Sequence, residues 1–357
     1  MIRRHVVLVC LLVACGRDPA QVRWDEDFAS ALALERTDPE AAATRLRTLA
    51  DRAPRAVDEG AARFELVDLM RAAGRDLEAA RALVELAIHS RRQDDRARAY
   101  YDLARLAEDR GRLAAAERLY QNLVRTYPNL MPGVRSLAHL LRIARGRGVD
   151  AVDRHLAWTR SLAETLAHTG LADDLVYQAA DEARRRAEAL DTPASWARAE
   201  ALYRRIADGP KTPLWNDAWW ELSWLFHRQH RFAEEIAALE TILRSREVLS
   251  LFGQDEHPYF WQGQLRIARV RMLDLADPRR AVDDWLRYAA LFPRTIKKDD
   301  VRFYALCAAL QAGETQRAAD LEALLVREHP DSRFLRDLPA AHTDPHGAAC
   351  TPPELTR

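Results

Sequence analysis

Lysine is nearly absent: among 357 residues the only ones are Lys211, Lys297 and Lys298. Basic and acidic side chains still balance at 54 each, so no net field draws the chain toward nucleic acid or an anionic surface. Arginine carries the positive charge, interleaved with acid as in Asp181-Glu182 beside Arg184-Arg185-Arg186. That is the pattern of solvated helix faces, not of a phosphate-binding patch. Cysteine is scarce too. The four present are too few and too scattered for a disulfide framework. Cys10 and Cys15 belong to the N-terminal lead, which leaves Cys307 and Cys350 for the body. A bridge between them needs an oxidising compartment, and Cys350 lies in a Gly/Pro-rich tail, so two free thiols are expected. Catalytic motifs are missing as well: the sequence has no GxGxxG, no lysine-bearing phosphate loop, no GxSxG, no HExxH and no CxxC. No enzyme, cofactor or metal is expected.

What the chain does have begins at its start. Arg3 and Arg4 precede an apolar run, Val6 to Ala14, that is nine residues long. A membrane-spanning helix needs roughly 20, and an amphipathic core helix needs polar positions at 3.6-residue spacing, which are lacking here. The layout is that of a secretory signal. Leu12-Val13-Ala14-Cys15 followed by Gly16 resembles the bacterial lipobox. The resemblance implies cleavage before Cys15 and acylation of that residue, and several acyl chains on one residue anchor stably where a single chain is marginal. In the same family an aspartate after the cysteine retains the protein at the inner membrane. Gly16 stands there, so an outer-membrane, periplasm-facing anchor is expected.

The body is helix-forming and repetitive. DPEAAATRLRTLADRAP (38–54) and DPRRAVDDWLRYAALFP (277–293) share Asp-Pro at the start, Ala at the fifth place and Pro at the seventeenth. Asp38 and Asp277 suit N-caps, with Pro39 and Pro278 at helix starts. Gly111 and Gly313 suit the reversal between two helices. Pro54, Pro128, Pro293 and Pro330 end each second helix. With one small residue per second helix as marker, the series runs Ala42, Ala79, Ala116, Val152, Ala199, Glu235, Ala281, Ala318, at separations of 36 to 47 residues. Val152 and Glu235 break the small-residue rule. The unit resembles the tetratricopeptide repeat, clearest in 100–129 from Tyr100 and Leu103 through Gly111, Ala116 and Tyr120 to Pro128. The resemblance implies an all-α, right-handed superhelical solenoid of about eight antiparallel helix pairs. The expected layout is a signal peptide at 1–14, a lipidated N-terminus and linker at 15–24, one continuous stack of repeats at 25–338, and a disordered tail at 339–357.

In LWNDAWWELSWLF (214–226), four of the nine tryptophans fall within ten residues. Alignment on the repeat puts Trp219, Leu222 and Phe226 inside. It puts Trp220 and Trp224 on the face that lines the groove in this family, beside Asp217, His227 and Arg228. Tyr101 and Arg105, and later Phe303, take the matching face in their own repeats. Two readings stand: the aromatics fill gaps between neighbouring repeats, or they line a groove for a protein or peptide ligand. His227 and His230 would share a helix face, but they fall at a polar turn and lack metal-ligand spacing.

With RTYPN (125–129), LFPRT (291–295) and EHPDS (328–332) as repeat ends and the lipobox in front, the chain resembles outer-membrane assembly lipoproteins of the BamD type and Tol-associated periplasmic repeat proteins. It departs from them in its repeat number and long insertions. The resemblance implies a non-catalytic protein-binding scaffold in the cell envelope. The alternative is a cell-wall or polysaccharide-export accessory protein whose Trp220 and Trp224 stack on glycan.

Overall fold

A computed structural model of the chain describes residues 18–245 and 258–353; Cys15 and the lead lie outside them. Every regular element among the described residues is helical, and the helices form eight pairs. The chain divides into two compact units, up to Leu171 and from Ala172 onward, where one continuous stack was expected. The division follows the Leu166–Gly170 turn, in the stretch where the marker spacing lengthens.

The first unit holds α1 (Pro19–Leu34), α2 (Pro39–Asp51), α3 (Ala56–Ala72), α4 (Asp76–His89), α5 (Gln93–Asp109), α6 (Leu113–Thr126), α7 (Met131–Gly146) and α8 (Val149–Thr165). Each packs on the next, and α5 also meets α7 across the intervening helix. Residues 19–24, expected as linker, are the first turns of α1, where Trp24 is buried and its Nε1 donates to the Leu49 carbonyl at 3.1 Å.

The second unit holds α9 (Leu171–Leu190), α10 (Pro193–Ala207), α11 (Trp215–Arg228), α12 (Phe232–Arg244), α13 (Pro258–Arg269), α14 (Pro278–Leu291), α15 (Lys298–Gln311), α16 (Thr315–Glu328) and a short α17 (Leu338–Thr343). One π turn, Val270–Asp274, extends α13. Neighbour-to-neighbour packing runs from α10 through α16, and α9 joins α10 through the Tyr177–Tyr203 ring contact.

The local chemistry follows the sequence pattern. Asp38 and Asp277 accept hydrogen bonds from the amides of Ala41 and Arg280 at 3.0 and 3.2 Å. The residue two before the second helix takes the left-handed conformation in six pairs. It is glycine at 74, 111 and 313, but Asp191, His230 and Ala276 hold φ of 47°, 56° and 48°. A non-glycine residue there costs about 1 kcal/mol.

The marker residue is the fourth of its helix in all second helices except α10, where Trp196 takes that place and Ala199 follows one turn later. All eight markers are buried. Residues four and seven further on complete an apolar stripe: Leu46 and Leu49, Leu83 and Leu86, Tyr120 and Leu123, Tyr203 and Ile206, Leu239 and Ile242, Trp285 and Tyr288.

The tail departs from expectation. Cys307 on α15 and Cys350 form a disulfide, with their Cα atoms 5.4 Å apart and both residues buried. They are not free thiols. Closing 43 residues of chain removes about 4 kcal/mol of unfolded-state freedom in the chain-entropy account. Residues 338–350 are therefore ordered: Ala341 is buried, Phe334 stacks on Phe303 at 4.6 Å, and Gln311 Nε2 donates to the Pro345 carbonyl at 2.6 Å. Composition pointed to disorder because it does not show a cross-link.

Two substitutions check this architecture by chemical denaturation. Ala116→Trp, at a fully buried contact between α5 and α6, should cost about 1–3 kcal/mol or more through overpacking. Ala276→Gly should stabilise by about 0.5–1 kcal/mol, since glycine accepts the left-handed turn without strain.

Candidate functional site

Helical spacing puts Asp217, Trp220, Glu221 and Trp224 on one face of α11, and α13 packs beside that face. Trp220 is buried and stacks on Tyr259 of α13, with centroids 4.6 Å apart and planes at 9°. The Tyr259 hydroxyl donates to Asp217 Oδ1 at 2.8 Å. One turn on, the Arg266 guanidinium lies 3.6 Å from the centre of the Trp224 ring. Trp224 is half-buried and its indole N–H has no acceptor among the described residues.

Arg266 is the centre of this arrangement. It is 2% exposed and donates to the Ser223 hydroxyl and carbonyl at 3.0 and 3.1 Å. Its Nη2 lies 2.6 Å from Glu235 Oε1, and the other carboxylate oxygen of Glu235 accepts from His227 Nδ1 at 2.8 Å. Burial lowers the Arg266 pKa to about 10, against the pull of Glu235, so the guanidinium remains charged at neutral pH. Glu235 is fully buried. It is one of the two markers that broke the small-residue rule, and its reason is physical: its carboxylate takes the place of a methyl and carries the inter-repeat ion pair. It is the one charged residue among the eight markers, a signal the sequence held. Its partner Arg266, 31 residues on, had none.

The expected groove residues separate. Trp220 is a packing residue, not an exposed groove ring, because Tyr259 covers it. Trp219, expected inside, is half-buried with its Nε1 donating to the Ala207 carbonyl at 3.1 Å. Trp224 and His227 are half-exposed at the edge of the ion pair, and Arg228 is exposed. His230 sits in the turn beyond α11 and does not join His227 on a helix face. Among the described residues no cluster of three or more potential metal ligands forms. Phe303 is fully buried against Phe334; its neighbour Tyr304 faces a different pocket, since one residue is about 100° of helix rotation.

Tyr101 and Arg105 lie in the first unit. The Tyr101 hydroxyl pairs with His139 Nε2 at 2.9 Å, and Arg105 is held in its charged form most of all by the Tyr101 hydroxyl. Behind them Glu108, also buried, accepts from the Tyr120 hydroxyl at 2.9 Å and His139 Nδ1 at 2.8 Å, and pairs with Arg142. Glu108 and His139 complete this network with Tyr101 and Tyr120 yet carried no sequence signal, because each looks like an ordinary helix-surface residue.

No family model matches the chain, and no curated protein matches it in sequence. Solved structures that match it in part include helical-repeat proteins. PilW, described as a widely conserved type IV pilus biogenesis factor, shares 16% identity over 68% of this chain and 97% of its own, at a TM-score of 0.35. The C-terminal part of a TPR repeat-containing protein from Cytophaga hutchinsonii shares 12% over 87% and 98%, also at 0.35. The TPR domain of P58(IPK) shares 14% over 90% of each chain, at 0.26. The helices themselves make this chain an all-α protein of stacked helix pairs. At these scores the likenesses carry nothing about what it binds.

Glu235→Leu should cost about 3–5 kcal/mol, because Arg266 is left buried without its counter-charge. Glu235→Leu combined with Arg266→Met should recover most of that loss. Trp220→Ala should cost a similar 3–5 kcal/mol as a core truncation. Guanidinium melts of the three variants check all of this; equal losses in the single and double variants would remove the ion pair from the account.

Proposed function

We propose that the chain is an exported lipoprotein, anchored through acylated Cys15 to the outer membrane and facing the periplasm. Its helical repeats act there as a non-catalytic scaffold for a protein partner in cell-envelope assembly. The observation that carries this reading is the Cys307–Cys350 disulfide. Such bonds persist in oxidising compartments, the bacterial periplasm among them, and are rare in the cytosol. A lipobox at Leu12–Gly16 delivers a protein to that compartment. Stacked helix pairs offer extended side-chain surfaces, which suits a scaffold.

A peptide or protein ligand is favoured over glycan. Stacking on sugar needs exposed ring faces, whereas Tyr259 covers Trp220 and Arg266 covers one face of Trp224. The exposed Arg228 and half-exposed Trp224 and His227 are interface-type residues left at the surface.

Cys15→Ser should move the protein from the membrane to the soluble envelope fraction and remove the mass of a diacylglyceryl and an acyl group from the mature N-terminus. Protein that still pellets with membranes at the unmodified mass would overturn the anchor. For the scaffold, a photo-crosslinking residue at Arg228 should capture a protein in intact cells. Salt-insensitive retention on isolated cell wall, without a protein adduct, would favour glycan instead.

A further inference from the structure

The chain seats part of its own tail beside a cavity walled by α13, α14 and α15. Pro352 is buried and, with Pro353, lines one small cavity with Leu265 of α13, Trp285 of α14, and Val301 and Tyr304 of α15, with Arg269, Lys297 and Asp300 completing the wall. Trp285 and Tyr304 contribute aromatic walls, their ring centres 5.3 Å apart. The segment enters extended: Thr351 has φ −89° and ψ 108°. Two residues before Pro352, Cys350 ties it to α15 through the disulfide.

The fit is incomplete in a telling way. A cavity of about 40 Å³ remains between the prolines and the pocket wall. Trp285 is 3% exposed, and its indole N–H has no acceptor among the described residues. A buried donor without an acceptor costs about 1–3 kcal/mol. The tail thus covers the apolar part of the pocket and leaves two buried donors of its lining unused, the Trp285 indole N–H and Arg269 Nε.

We propose that this pocket is a recognition site for an extended Pro-Pro segment of another protein, and that residues 351–353 occupy it in cis as a weaker stand-in. The chemistry is that of polyproline recognition. A proline pair is preset in extended form, so little freedom is lost on docking; its rings pack on aromatic walls, and its carbonyls accept from an indole N–H. A ligand that supplies a carbonyl to Trp285 Nε1 makes the hydrogen bond the tail does not. The disulfide tether keeps the tail at an effective concentration near the millimolar range, so a second peptide binds only by displacing it. The site gives the scaffold a partner class and does not depend on the lipid anchor, so failure of either test leaves the other standing.

The test uses the full chain and a fluorescent peptide with the sequence of residues 351–357, TPPELTR, read by anisotropy. A control peptide carries Gly-Gly in place of Pro-Pro. The Pro352→Gly/Pro353→Gly protein should bind the proline peptide at least about tenfold more tightly than the wild-type chain, which holds its own tail in place. It should discriminate against the control by at least about tenfold, and added Trp285→Phe should reduce binding by about fivefold or more as the donor is lost. Thermal melts accompany each protein. Equal binding by wild type and double variant, equal binding of the two peptides, or no binding by a double variant that melts cooperatively would each overturn the proposal. So would loss of the cooperative melt in the double variant, since Pro352 would then be a structural plug. Trp285→Phe with an unchanged melt and unchanged binding would remove the indole from the site.

Discussion

Two helices of a pair approach closely only where one of them presents a small side chain, and the rest of the structure depends on that contact. At Ala42, Ala79, Ala116, Ala281 and Ala318 the methyl group is buried and the helices lie against each other; in the first four of these pairs the stripe four and seven residues on is buried as well. No helix pair here has enough apolar surface to be stable alone; each is completed by its neighbours. The short turns follow from the same constraint. The chain must reverse within a few residues, and before six of the eight second helices a left-handed residue does this even where it is histidine, aspartate or alanine.

At Glu235, one of the two places where the small residue is replaced, the packing has been rebuilt around charge. Glu235 and Arg266 form a buried pair whose remaining hydrogen-bonding capacity goes to Ser223 and His227. Further buried charges recur in this unit: Arg184 beside Asp181, Glu188 and Glu221, and Arg271 beside Asp284 and Glu240. Burial raises the Asp284 pKa to about 6 despite Arg271. Such pairs add little net stability against well-packed apolar residues, yet breaking one is costly. They therefore act on register, making a shifted helix pairing expensive. The Trp220–Tyr259 stack and the Arg266–Trp224 contact fill the same inter-repeat space.

The C-terminal segment obeys a different rule. It has no apolar periodicity to hold it, and its order comes from one covalent bond together with the contacts that bond makes probable: Phe334 on Phe303, Gln311 on the Pro345 carbonyl, and Pro352 against Trp285. A short segment gains little from burying two prolines unless its loss of freedom is offset elsewhere, and the cross-link does so.

The amino-acid sequence by itself determined the all-α class, the eight helix pairs, their caps and their turns, because each of these is written in residues close together: Asp-Pro starts, a left-handed glycine, a small residue and an apolar stripe at fixed spacing. It also marked Glu235 as an exception. Only the tertiary structure decided what that exception is for, since its partner comes from the next repeat and nothing local to Arg266 distinguishes it from other arginines. The same holds for the aromatic face. Periodicity placed Trp220, Trp224 and Phe303 on helix faces but left open which neighbour each face meets, and an error of one residue turns a side chain by about 100°, which is why Tyr304, not Phe303, faces the proline pocket. The tail was read as disordered because pairing of Cys307 with Cys350 is a fact of distance, and distance between residues 43 apart in sequence is settled only when the helices between them have packed.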